Sequence, residues 1–72
     1  MSEREKEIYA FIIRYKMSHD GNSPSIREIG EAVGIGSTSL ILHYLQNLEK
    51  CSAITMDGQR AISVVGGSWV MG

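Results

Sequence analysis

Seventy-two residues make one small domain with a thin core, and leave no room for a second lobe or an enclosed substrate pocket. Hydrophobic residues make up 43% and charged residues 21%, the balance of an ordinary globular chain, and the lone Cys51 excludes an internal disulfide. The net charge of −1 lacks the basic excess that usually marks a nucleic-acid partner, so the placement of each cation matters more than their number.

The charged N-terminus, Met1 to Glu7, runs directly into helix-patterned sequence and does not resemble a signal peptide. No apolar run approaches the roughly 20 residues that cross a bilayer. A cytoplasmic setting without a membrane partner is expected.

Ser2 followed by Glu5 has capping-box spacing, which predicts a helix starting near Glu3. Ile8, Phe11, Ile12 and Tyr15 then make one apolar stripe, and the helix should run to about Ser18. His19-Asp20-Gly21-Asn22 is the stop, with Gly21 suited to positive φ. Ser23-Pro24 is extended or turn-like. Ser25 and Glu28 repeat the capping spacing, and Ile26, Ile29 and Val33 form the stripe of a short second helix that ends at Gly34. After the turn Ile35-Gly36, Ser37 or Thr38 caps a third helix. Its buried stripe is Ile41, Leu45 and Leu48, and its end lies near Lys50 to Ser52.

Beyond that point the period changes. Ala53 to Met56 and Ala61 to Val64 are short β-prone runs, and Asp57-Gly58 between them is a strong hairpin signal. Gly66 to Gly72 reads as a flexible tail or the start of a linker, which sets the domain at residues 1–65. The order helix, helix, helix, hairpin makes a mainly α chain with a small β-hairpin.

Two short helices joined by a tight glycine-containing turn are the mark of a helix-turn-helix. Gly30 should let the second helix approach the third, and Gly34 should permit a left-handed turn. Ile35 should pin the turn to the core. Ile41 and Leu45 should pack the third helix back, leaving its opposite face and N-terminal end free to enter a major groove.

Several pieces together resemble the N-terminal DNA-binding domain of LexA-type repressors: Arg4-Glu5-Lys6-Glu7-Ile8-Tyr9; Gly21-Asn22-Ser23-Pro24-Ser25-Ile26-Arg27-Glu28-Ile29; Val33-Gly34-Ile35; Ser37-Thr38-Ser39; and His43 to Lys50. The specificity lies in their order and spacing over residues 3 to 65. The resemblance implies a three-helix winged helix-turn-helix whose third helix reads base edges. It would do so through Ser37, Ser39, Leu40, Leu42 and His43, with Thr38 beside them. The wing residues Gly58, Gln59 and Arg60 would lie near a phosphate. Arg27, at the positive end of the second helix, is a further phosphate candidate, and Arg14 and Lys16 are lesser ones. The implied partner is double-stranded DNA with a two-fold operator, bound by a homodimer that pairs on DNA. The implied action is repression by occlusion, of the kind found in the SOS response. Members of the family also carry a self-cleaving Ser/Lys peptidase domain, for which these 72 residues have no counterpart, so self-cleavage is not carried over and no enzymatic activity is expected. The chain reads either as a small regulator, of bacterial or phage type, or as part of a longer repressor.

One departure stands out. The outward positions of the third helix hold no Arg or Lys, so the commonest specific contact, arginine to guanine, is missing there. Leu40 and Leu42 stand in that region, as thymine-methyl contacts, as a docking patch, or partly buried. The alternative of a different class is accordingly a protein-docking module that uses Leu40, Leu42 and the tail around Trp69. His19 and His43 are far apart and have no further ligands, so neither a metal nor a cofactor is expected. His19 reads as a helix-end residue and Cys51 as a small space-filler. Trp69 is expected to fold back over the core, with an intermolecular contact as the other option.

Overall fold

Helices α1 (Glu3–Ser18), α2 (Ile26–Val33) and α3 (Thr38–Lys50) each begin directly after a serine whose hydroxyl satisfies a free N–H of the first turn. Ser2 Oγ accepts from Glu5 N–H at 3.2 Å, and Glu5 Oε1 accepts from Ser2 N–H at 2.9 Å. Ser25 and Glu28 repeat this box at 3.0 and 2.8 Å. Ser37 Oγ accepts from Leu40 N–H at 3.2 Å, a one-way cap because a leucine stands where the acid would be. The computed structural model describes residues 1–57 and 61–65, with strands β1 (Ile54–Asp57) and β2 (Ala61–Val64) following the helices.

The three helices also close alike. Past each C-terminus the chain turns left-handed, first at Asp20 with φ 56°, at Gly34 with φ 75° and at Ser52 with φ 63°. The next N–H then reaches five residues back. Gly21 bonds Lys16 O at 2.8 Å, Ile35 bonds Gly30 O at 2.9 Å and Ala53 bonds Leu48 O at 2.9 Å. Gly21, expected as the turning residue after α1, does have φ 83°, but Asp20 turns first.

Among the described residues the fully buried core is aliphatic and draws on every element: Ile8 and Ile12 from α1, Ile29 from α2, Ile41, Leu45 and Leu48 from α3, Ile54 from β1 and Ile62 from β2. The predicted α1 stripe is corrected at one edge. Phe11 and Tyr15 are half-buried, and the buried line continues from Ile8 and Ile12 to Lys16, which is 9% exposed. The Lys16 ammonium donates to Gly21 O at 2.9 Å and Ser23 Oγ at 3.3 Å, so its charge is spent inside the fold. Tyr15 remains at the flank because its hydroxyl donates to Glu28 Oε2 at 3.2 Å. Its ring stacks on His19 with centroids 3.8 Å apart, and His19 occupies the α1 C-cap as a helix-end residue.

β1 and β2 pair antiparallel, with Ile54 opposite Val64 and Met56 opposite Ile62. β1 starts one residue later than the sequence pattern suggested and takes in Asp57. Val65 N–H donates to Ala53 O at 3.0 Å. By alternation, the backbone groups of Ile54, Met56, Ile62 and Val64 point outward from the ladder, and two of these residues, Met56 and Ile62, meet neighbouring elements. Both find side chains. Glu49 Oε2 accepts from Met56 N–H at 3.4 Å, while Ser23 Oγ accepts from Ile62 N–H at 2.9 Å and donates to Ile62 O at 3.1 Å. The hairpin is therefore tied to α3 on one edge and to the α1–α2 loop on the other. The arrangement is a winged helix-turn-helix.

Candidate nucleic-acid interface

The turn between α2 and α3 fixes how α3 is presented. Gly34 is left-handed, and Ile35 packs against the core. A Cβ added to Gly30 would lie 2.5 Å from Ile35 O and 3.8 Å from Ile41 Cγ1. The close approach that requires glycine here is thus to the turn's own carbonyl, more than to α3. Arg4 braces the same corner from α1, donating from Nη1 to Val33 O at 2.9 Å while pairing with Glu7 at 3.3 Å. A cation on the last carbonyls of α2 also suits the negative end of that helix. Sequence reading missed Arg4 in this role, because its partner lies 29 residues away.

With Ile41, Leu45 and Leu48 buried, the opposite stripe of α3 faces outward: Ser39, His43, Gln46 and Lys50, all exposed. Ser37 and Thr38 are exposed at its N-terminal end, and the Ser37 oxygen is already engaged in the cap. Leu40 is 40% exposed and Leu42 is half-buried. Of the six base-reading candidates, Ser37 is the N-cap of α3, and Thr38, Ser39, Leu40, Leu42 and His43 lie in its first two turns. Gln46 was overlooked, although counting three and seven residues on from Ser39's neighbour His43 and from Ser39 itself places it on this stripe.

His43 is held from behind. Asn47 Nδ2 donates to Glu5 Oε2 at 2.9 Å and approaches His43 Nε2 at 3.5 Å. The Glu5 carboxyl is kept below its ordinary 4.5, first by the Ser2 N–H and then by the Asn47 amide. An anion at the start of α1 thus orients an amide on α3, which flanks the imidazole.

Of the phosphate candidates, Arg27 is exposed in the first turn of α2. Arg27, Glu31 and Thr38 line one shallow open groove of about 550 Å³ between α2 and the start of α3, floored by Ile26 and Ile41. Arg14 is exposed on α1. Lys16 is withdrawn as a phosphate candidate by its burial and its bonds to Gly21 and Ser23. Gly58, Gln59 and Arg60 lie outside the described residues, as do Trp69 and the rest of the tail. Cys51 is exposed at the α3 C-cap, its thiol donating to Leu48 O at 3.4 Å, so it fills no space in the core. Among the described residues, no helix is long and apolar enough to cross a membrane.

Residues 1–62 match the family model described as the LexA DNA binding domain. A LexA repressor of Mycobacteroides abscessus is 41% identical over 64 residues, which cover 89% of this chain and 28% of that one. A LexA repressor of Mycobacterium tuberculosis is 41% identical over 68 residues, covering 92% of this chain and 28% of that one. The chain spans less than a third of the length of these relatives. By the extent of the match along its helices and hairpin, the chain belongs to the LexA DNA binding domain family.

Proposed function

We propose that this domain binds double-stranded DNA sequence-specifically and represses transcription by occupying an operator, in the manner of a LexA repressor and its SOS response. The observation that carries this reading is the exposed N-terminal half of α3, following a turn whose α2 side Arg4 braces, in a chain whose family is a DNA-binding one. Ser37, Thr38, Ser39, Leu40, Leu42 and His43 are assigned to base edges, and Arg27, Gly58, Gln59 and Arg60 to phosphates. Two copies on a two-fold operator place their half-sites about 34–36 Å apart, one helical turn.

The test is fluorescence anisotropy on a random duplex at rising salt, followed by selection of a preferred duplex. Binding should weaken log-linearly with salt as phosphates release counterions. Ser39→Ala should cost more on the selected duplex than on the random one. Equal losses on both would remove Ser39 from base reading, and no binding even at low salt would remove the DNA-binding function itself.

A further inference from the structure

Leu40 and Leu42 are two residues apart on α3, and a helix turns about 100° per residue, so they project about 160° apart. They do not form one patch. They bracket the outward stripe of Ser39 and His43, one leucine on each flank. A flat protein surface would need its apolar contacts at spacings of three or four residues on a single face. A groove that encloses the helix from both sides meets both flanks at once. The major groove, about 12 Å wide, does this to a helix about 10–12 Å across.

The chemistry of the face narrows what it meets. From Ser37 to Leu48 the helix holds no Arg, Lys, Asp or Glu, so the paired acceptors of guanine find no bidentate cation. Thymine alone among the four bases presents an apolar group, its C5-methyl, in the major groove. Leu40 is 40% exposed and Leu42 half-buried, so each has apolar surface left to cover.

We infer that α3 selects its site by thymine methyl groups, with Leu40 and Leu42 touching methyls on opposite walls of the major groove and Ser39 and His43 bonding base edges between them. This rests on the proposed DNA binding and adds its specificity: contacted steps rich in A·T pairs with thymines on both strands.

The experiment selects duplexes from a random pool with the 72-residue chain, then resynthesises the winner with 2′-deoxyuridine replacing thymine at single positions. That change removes only the methyl. Affinity should drop about fourfold at each contacted thymine, the worth of one buried methyl-sized group. Leu40→Ala should abolish the penalty at thymines on one strand and leave it on the other. A selected duplex that binds equally well with uracil throughout overturns the methyl readout and leaves DNA binding standing. Failure to enrich any duplex overturns both. Because the deoxyuridine arm uses the unaltered protein, the result does not depend on any variant folding.

Discussion

Ser52 holds φ 63° at the end of α3, a conformation that costs a residue with a Cβ roughly 1–2 kcal/mol. It stays there because Ala53 N–H then reaches Leu48 O, closing the helix and aiming the chain into β1. Ser52→Gly should relieve that cost, less the entropy of glycine, for a net gain of about 0.5–1 kcal/mol. The thermal midpoint should rise by a few degrees, and an unchanged or lower midpoint would refute the strain. A second residue-scale effect comes from the capping glutamates. The Glu28 carboxyl is held below 4.5, chiefly by the Ser25 N–H, and Glu5 likewise by Ser2. Near pH 4.5 the unfolded chain therefore binds more protons than the folded one, so stability rises with pH there and is lost as pH falls through the folded values. Glu28→Gln keeps the cap geometry and removes one titration. Its midpoint should fall less steeply than that of the unaltered protein between about pH 5 and about pH 3. Parallel acid profiles would mean that Glu28 does not contribute.

At the level of elements, what could be read in the sequence was what is local. Ser2-x-x-Glu5 and Ser25-x-x-Glu28 announce helix starts because both partners of each bond lie within one turn. The stripe Ile41, Leu45, Leu48 announces the buried side of α3 for the same reason. What could not be read depends on residues brought together by folding. Ser23 bonds Ile62 across 39 residues, Arg4 reaches Val33 across 29, and Lys16 is buried because Gly21 O and Ser23 Oγ receive its ammonium. The exposure of the positions proposed to read bases followed from helix periodicity, whereas Lys16 looked like a free cation until its partners were in place. The Ser23 tie makes a direct prediction. Ser23→Ala leaves both outward backbone groups of Ile62 without a partner in a half-buried place, which should cost about 1–2 kcal/mol. Amide exchange should quicken first at Ile62 and then along the hairpin. Exchange there as slow as in the unaltered protein would show that the edge is held by other means.

For the molecule as a whole, the question left by a net charge of −1 is how a domain with seven Lys and Arg grips a polyanion. Two of them are held by the fold, Arg4 by Val33 O and Glu7 and Lys16 by the α1–α2 loop, while Lys6 lies 3.9 Å from Glu3 in an exposed pair. Among the described residues, Arg14, Arg27 and Lys50 make no ion pair, and of these Arg27 shares a groove with Thr38 of α3. On the proposed reading few phosphates would be neutralised per copy, and affinity would lean on base contacts and on the proposed pairing of two copies. The log–log salt slope for one copy should be shallow, about −1 to −3, and should double when two copies share a site. Arg27→Ala should flatten it by about 0.9 with little change in thermal stability. Lys16→Met should do the reverse, lowering the midpoint because Gly21 O loses the ammonium donor and Ser23 Oγ keeps only Ile62 N–H, with the salt slope unchanged. If instead the slope flattens with Lys16→Met and not with Arg27→Ala, the division of cations between fold and DNA drawn from this structure is wrong.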